Sequence, residues 1–433
     1  MESKDTSVGS VFVSNYPPYS FWTQDQVPRA VEVLHAPGLP DVSLGLYLHI
    51  PFCRKRCKFC YFRVYTDKNR DDVQTYLNAL AKEVSLYSAL PSIQYRRLKF
   101  VYFGGGTPSF ISAAQLRILV RKLKKSIPWT GAEEVTFECE PGTLTEAKLE
   151  VIKEIGVTRL SLGIENFNDA ILEENGRAHL SKEISRCLPW IRAMNFDQLN
   201  VDLIAGMLGE TWDTWRETVE KTIDAGADSV TIYQMELPFN TVFSQDLLHG
   251  SLSRAVADWE TKRDWHDYAF ARLEEAGYEL SSAYTMIRKD RRCDFVYRNG
   301  VWHGSDMVGA GVASFSHMSG VHFQNLSVWD HYVCELESNH LPLERAYLTT
   351  GKERLTREMI LQLKLGQIKT EYFRKKFGAD ILEMFEPVYK HLKETGFLVY
   401  DENQIHLTRK GLLQVDQLLA EFYDAKYRNA RYT

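Results

Sequence analysis

Cys53, Cys57 and Cys60 lie within eight residues of one another in His49-Ile-Pro-Phe-Cys-Arg-Lys-Arg-Cys-Lys-Phe-Cys-Tyr-Phe62, directly after the apolar, strand-like run Leu44–Ile50. Three thiolates at i, i+4 and i+7 on a loop can close around one small metal centre, and thiolates select iron-sulfur clusters or zinc over hard cations. A four-iron cluster held by three thiolates keeps one iron open to an exchangeable ligand. Structural zinc usually closes with four ligands, often in paired C-x2-C groups. No second pair is present, because Cys139, Cys187, Cys293 and Cys334 are solitary. The spacing favours an iron-sulfur centre, with zinc as the alternative.

A second candidate is Phe103-Gly-Gly-Gly-Thr-Pro108, at the end of the next strand-like run. Glycines let a backbone approach a ligand closely and adopt positive φ. Alone, such a turn is often only a tight connection, and it matches no phosphate-binding pattern. Carboxylates recur near the ends of later runs, as Glu138, Glu140, Glu165 and Asp202. Singly each could cap a helix or pair with a cation; together they suggest a site for a polar small molecule.

These residues need a scaffold that brings them to one edge. Strand-like runs at 44–50, 98–103, 135–139, 160–164, 199–204 and 230–233 alternate with amphipathic helical stretches at 72–87, 113–125, 146–155, 182–194 and 211–225. That alternation predicts a parallel sheet, curled or open, with its functional face at the C-terminal strand ends. From about Phe315 helical segments at 356–365, 371–377 and 381–395 lead into two β-like runs around 401–403. The expectation is a helix-rich, winged-helix-like domain, and the lack of a dense basic stripe favours a lid over a DNA reader. Near the start, Asn15-Tyr-Pro-Pro-Tyr-Ser-Phe-Trp22 is ill-suited to regular structure and reads as an arm, strapped on the core or reaching a cavity.

The chain has 433 residues, 44% of them hydrophobic, and a net charge of -5. That length fits an enzyme of two or more domains, and the mild charge gives no general attraction to nucleic acid, although the patch at 117–125 is basic. An odd cysteine count clustered as a metal loop points to a reducing compartment. With no signal-like start and no apolar run of about 18 residues, a cytoplasmic protein without a membrane span is expected.

The cysteine loop, Gly-Gly-Gly-Thr-Pro, Glu138 in Thr-Phe-Glu-Cys-Glu-Pro, and Gly156-Val-Thr-Arg-Leu-Ser-Leu-Gly-Ile-Glu165 together resemble the radical S-adenosylmethionine enzymes. Within them the chain is similar to the oxygen-independent coproporphyrinogen III oxidase family, including its haem-chaperone and class C methyltransferase relatives, from about Tyr16 through the C-terminal domain. The resemblance implies an N-terminal arm (1–40), a partial (β/α)6 barrel (41–315) and a C-terminal accessory or lid domain (316–433). It implies that Cys53, Cys57 and Cys60 hold a 4Fe-4S cluster whose open iron takes S-adenosylmethionine. Gly105, Gly106 and Thr107 would hold the methionine part, Glu138 the ribose, and Arg177 and Asp202 further parts of the cofactor. Tyr47 and Glu165 would stand at the reaction centre, and the backbone around Phe315 matches another family position.

The implied activity is reductive cleavage of S-adenosylmethionine to a 5'-deoxyadenosyl radical that abstracts hydrogen from a small organic, possibly tetrapyrrole-like, substrate. A low-potential donor such as flavodoxin or ferredoxin would supply the electron. A methyltransferase or cyclopropane-forming enzyme using a second S-adenosylmethionine, and a haem carrier with His303 or His317 as axial ligand, are the alternatives. Three positions depart from the family patterns. Phe62 replaces the fourth cysteine of the oxidases, Glu165 replaces a usual glutamine, and Arg298-Asn-Gly-Val-Trp-His-Gly304 stands where the chaperones have H-N-x-x-Y-W.

Overall fold

A computed structural model describes residues 5–10, 12–252, 254–428 and 430. Six strands, β1 (Leu44–Ile50), β2 (Leu98–Gly105), β3 (Glu134–Cys139), β4 (Arg159–Glu165), β5 (Gln198–Ala205) and β6 (Ser229–Gln234), lie side by side in chain order and in parallel. Beyond β6 the hairpin β7 (Tyr278–Leu280) and β8 (Thr285–Arg288) closes one edge antiparallel. Beyond β1 come β9 (Asp306–Ala310), a seventh parallel strand, then antiparallel β10 (Phe315–Met318), β11 (Val321–Asn325) and β12 (Leu343–Leu348). The result is one mixed sheet of twelve strands. No pairing between β7 and β12 closes it among the described residues.

The six runs expected as parallel strands are observed, each within two residues of the anticipated ends. The short strands β7 to β12 were not anticipated. They run three to six residues and carry His317, His322, Gln324 and Arg345, so no clean apolar alternation marks them. The sheet therefore continues through Leu348, and the second hydrophobic core is built mostly from residues 355–427.

Alternation splits the parallel strands into two faces. Leu46, Leu48, Val101, Phe103, Phe137, Leu160, Leu162, Val201 and Leu203 are buried against the surrounding helices, Arg70–Ser88, Ala113–Ser126, Glu146–Glu154, Ser181–Met194 and Trp212–Ala225 among them. The opposite face carries Tyr47, Tyr102, Glu134, Thr136, Glu138, Arg159, Ser161, Glu165, Asn200 and Asp202. One face of the parallel strands is thus apolar and covered by helices, and the other is polar. Capping fixes where the helix after the cysteine loop starts: the Asn69 side chain accepts from the Asp71 and Asp72 amides at 2.8 and 3.0 Å.

The C-terminal unit packs the helices Gly351–Leu363, Thr370–Phe377 and Glu386–Glu394 against a small sheet of Gln367–Lys369, Leu398–Tyr400 and Gln404–Leu407. Asp401 Oδ1 accepts from the amides of Asn403 and Gln404 and turns the hairpin. The stretch expected as an arm contains a helix, Val27–His35, packed on β11 and β12. Tyr16 is fully buried, its ring 5.0 Å from that of Tyr423 and 5.3 Å from that of Tyr427.

Candidate active site at the C-terminal strand ends

The cysteine loop leaves β1 and is tied down on three sides. The Cys53 amide donates to Tyr65 O at 3.1 Å, and the Lys58 amide to Asn175 O at 3.1 Å. Arg54 Nη2 donates to Glu140 Oε1 at 3.1 Å, and His179 Nδ1 meets the same oxygen at 3.1 Å. Burial alone would raise the Glu140 carboxyl, but the His179 hydrogen bond and charge, with Arg54, hold it down at about 2. Glu140 is thus the clamp of the loop, and His179 and Arg54 are partners that the motif reading passed over, although His179 stands two residues after Arg177. A cleft of about 350 Å³ lined by Arg54, Lys55, Glu173, Arg177 and His179 opens beside the loop.

Cys53, Cys57 and Cys60 are half-buried free thiols. Cys53 Sγ lies 3.3 Å from Thr107 Oγ1, and Arg177 Nη1 donates to Cys57 Sγ at 3.3 Å. Burial pushes the Cys53 thiol up to about 11 and the Cys60 thiol to about 12. Thiolates at these positions therefore call for a cationic centre bound to them.

The glycine turn is shaped by that loop. Gly105 has φ +116, and a Cβ there would lie 2.7 Å from the His49 ring. A Cβ on Gly106 would stand 2.9 Å from the backbone of Pro51, while the Gly106 amide donates to Ile50 O at 2.9 Å. Strand β2 can dock flush on β1 and the loop only with hydrogen at both positions.

Glu138, Glu165 and Asp202 come together on the polar face. Glu138 accepts from the Tyr102 hydroxyl at 2.7 Å and from the Gly105 amide at 3.2 Å. Glu165 sits at φ +66, an uncommon conformation for a residue with a side chain, 3.7 Å from Arg177 Nη1. Asp202 accepts from Ser161 Oγ at 2.8 Å and from Asn200 Nδ2 at 2.9 Å. Burial pushes Glu138 and Glu165 up to about 7 and raises Asp202 as well. Arg177 also donates to Gly163 O at 2.8 Å, and its Nε is sealed without a partner.

Tyr47 is the register partner of Tyr102 across β1 and β2, rings stacked at 5.8 Å, its hydroxyl 3.3 Å from His49 Nδ1. Gly311, in the segment before Phe315, donates its amide to the buried Glu83 at 2.8 Å, and Phe315 is 41% exposed. Tyr233, Tyr284 and Phe12 form a further aromatic group, with Phe12 4.9 Å from Tyr284 and 5.9 Å from Tyr233. Spacing could not find that group, because its members come from three distant segments. His303 Nδ1 is engaged by Asn299 O at 2.7 Å, far along the chain from the cysteine loop.

This buried set fits the cofactors that the cysteine spacing suggests. Three thiols with one charged donor, one turn with two Cβ-free positions and three carboxylates with scarce positive charge suit a thiolate-held cluster and a cationic, amino-bearing ligand beside it. No helix of the described residues is long and apolar enough to cross a membrane.

Residues 47–222 match the radical SAM superfamily model, and residues 349–413 match the HemN C-terminal domain. The chain is 27% identical over 381 residues to the haem chaperone HemW of Bacillus subtilis, covering 87% of this chain and 98% of that protein. It is 25% identical over 397 residues to the oxygen-independent coproporphyrinogen III oxidase of Escherichia coli, covering 87% and 84%. The solved structure of the Escherichia coli oxidase superposes with a TM-score of 0.82 at 21% identity, over 95% of this chain and 96% of that one, which shows a shared fold. Superfamily membership implies a 4Fe-4S cluster and S-adenosylmethionine as cofactors. With both matches and that fold, the chain carries a radical SAM domain and a HemN C-terminal domain, and its homologues include HemW and oxygen-independent coproporphyrinogen III oxidase.

Proposed function

We propose that the protein is an enzyme that cleaves S-adenosylmethionine reductively and abstracts hydrogen from an organic, tetrapyrrole-like substrate held over the polar face of the sheet. The observation that carries this reading is the convergence of the cysteine loop, the glycine turn and three buried carboxylates at one end of the parallel strands. When bound, the cluster and S-adenosylmethionine supply one-electron cleavage of the sulfonium and a hydrogen-abstracting deoxyadenosyl radical.

The protein's share is placement and charge. Cys53, Cys57 and Cys60 hold the cluster, and the Arg177 guanidinium on Cys57 Sγ stabilises that sulfur as an anion. Gly105, Gly106 and Thr107 present backbone and hydroxyl groups to the amino acid part of the cofactor. Glu138 is already oriented by Tyr102 and Gly105, so it meets the ribose hydroxyls without reorganising. Glu165 and Asp202 balance positive charge beside Arg177, and the stacked Tyr47 and Tyr102 wall the site against water. Anaerobic reconstitution followed by assay of 5'-deoxyadenosine tests the proposal. Cys57→Ala should abolish both cluster and product, and wild-type rates of deoxyadenosine formation in that variant would refute it. Co-production of S-adenosylhomocysteine would redirect the assignment to methyl transfer.

Haem carriage is the second reading, favoured by the likeness to the haem chaperone of Bacillus subtilis and by one geometry. His322 Nε2 faces Tyr16 O at 3.2 Å and must donate, so its Nδ1 accepts from His317 Nδ1 at 3.0 Å. That leaves His317 Nε2 as a bare lone pair, the tautomer that an iron ligand needs. A haem titration followed in the Soret band, on wild type and His317→Ala, tests it: equal spectra from the two remove His317 as the ligand.

A further inference from the structure

The cysteine loop carries positive charge that the site does not use. Arg54, Lys55, Arg56, Lys58 and Arg63 fall within ten residues, with no carboxylate from His49 to Thr66, in a chain whose net charge is -5. Arg54, Lys55, Arg56 and Arg63 are exposed, whereas the cysteines interleaved with them are half-buried. Arg54 is answered by Glu140. Arg56 donates to the carbonyls of Cys60 and Asn240, each at 3.2 Å. Lys58 lies over the Phe243 ring at 5.7 Å and Arg63 over the Tyr65 ring at 5.8 Å. Among the described residues no carboxylate forms an ion pair with Lys55, Arg56, Lys58 or Arg63.

Balancing the thiolates does not account for these cations. Arg177, its side chain 11% exposed, already donates to Cys57 Sγ at 3.3 Å, while Lys55 and Arg63 stand in water, where a charge is strongly screened. An apolar patch adjoins them. The helix Val242–Leu248 is bonded to the loop where it starts: the Phe243 amide donates to Lys58 O at 3.1 Å, and Asn240 Nδ2 donates to Tyr61 O at 2.9 Å. Leu248 is 62% exposed, and Val242 and Leu247 are 38% exposed. Seven helical residues rise only about 10 Å, so these aliphatic groups and the loop cations share one region of surface. Glu173 at the cleft and Asp246 on the helix leave that region in positive excess. Exposed aliphatic side chains beside unanswered cations are the makings of a docking face.

We propose that the outer side of the cysteine loop and the helix Val242–Leu248 form the docking face for an acidic one-electron carrier protein. This rests on the proposed function and names the partner of that site. Reductive cleavage needs one electron from outside the chain, delivered to the centre held by Cys53, Cys57 and Cys60. The carrier loses one electron and that centre gains it; no bond forms or breaks and no proton moves. A partner seated on Arg54, Lys55 and Arg56 is one loop's thickness from the sulfurs, because Cys53 and Cys57 bracket those residues in the chain. The acidic surface of the carrier is steered by the loop cations, and the leucines give the contact its dry part. Nucleic acid, the other polyanion of that charge, brings no electron and leaves the leucines unmatched.

A purified acidic flavodoxin is the probe, oxidised for binding, on the reconstituted full chain, with calorimetry as the readout. Wild type should bind it, and the affinity should fall by about tenfold or more as ionic strength rises from about 0.01 to about 0.15 M, where the screening length shrinks from about 30 to about 8 Å. The double variant Lys55→Glu with Arg63→Glu should weaken binding by about tenfold or more and flatten the salt dependence. Leu248→Ser should weaken binding and leave the salt dependence as it is. Lys390→Glu, at an exposed lysine of the C-terminal unit, should bind as wild type does. Absence of flavodoxin binding by wild type, full binding by the double variant, or an equal loss in Lys390→Glu overturns the assignment, and duplex DNA bound in place of flavodoxin would give the face to nucleic acid. Deoxyadenosine formation driven by dithionite, which needs no docking, should be the same in the double variant as in wild type; its absence from wild type would sink the proposed function and leave the binding comparison intact.

Discussion

The two ends of the same polar face carry charge in opposite ways. At the N-terminal ends Glu134 and Arg159 are matched at 2.8 Å, and Thr136 and Val296 complete the carboxylate's hydrogen bonds. At the C-terminal ends Glu138, Glu165 and Asp202 crowd together, and Arg177 is shared between Glu165, Cys57 and Gly163. A matched buried pair is a brace. A buried group of like charges with its titration displaced is a site awaiting a cation. The contrast separates residues whose charge is answered within the sheet from residues whose charge is not, although both are polar and on one face.

The sharpest way to break that division is to cut the brace. Glu134→Ala leaves Arg159 buried and unpaired, and should cost about 3–5 kcal/mol of stability, read from denaturant unfolding with the linear slope unchanged. A loss below 1 kcal/mol would place Glu134 among the ligand-facing groups instead.

Glu138→Gln should act the other way. Unfolded, this carboxyl gives up its proton near 4.5; folded, it holds it to about 7. Between those values the folded state binds the additional proton, so the contribution of Glu138 to stability falls as pH rises through that window. The variant should therefore match wild type below pH 4.5 and exceed it above pH 7 by about 3 kcal/mol, one pKa unit being about 1.4 kcal/mol. Melting curves of the two proteins across that range check the difference. S-adenosylmethionine binding by calorimetry should weaken in the same variant. A pH-independent difference would remove Glu138 from the ligand-facing set.

The smallest effect should come from outside the polar face. Arg117 and Glu154 meet at 2.9 Å with both side chains about half exposed, and Arg117→Ala should change stability by under about 1 kcal/mol, since exposed pairs are weak. A larger loss would mean that surface pairs between helices matter as much as the brace.

The cysteine loop, the glycine turn and the alternating strands were legible because each rests on local rules. Cysteine spacing is a matter of ligand reach, and Gly105 and Gly106 follow from how closely β2 approaches β1. Glu138, Glu165 and Asp202 were visible as carboxylates at strand ends, and the parallel register is what makes them neighbours. The sheet's extension through β12 was not legible, because strands of three to six residues with histidines and glutamine carry no periodicity that competes with the helical pattern around them. The clamp of Arg54, Glu140 and His179 joins residues up to 125 positions apart, and only the fold brings them together.

Tyr16 wedged between Tyr423 and Tyr427, with Asn15 Oδ1 accepting from Arg357 Nε at 2.6 Å, sets an order of events during synthesis. Residues 22–35 can settle on β11 and β12, but the Tyr16 ring has no aromatic bed until Tyr423 and Tyr427 have been made. The nascent protein must therefore pass through a stage in which the sheet is complete while its N-terminal stretch and the ring that will grip it are still strangers.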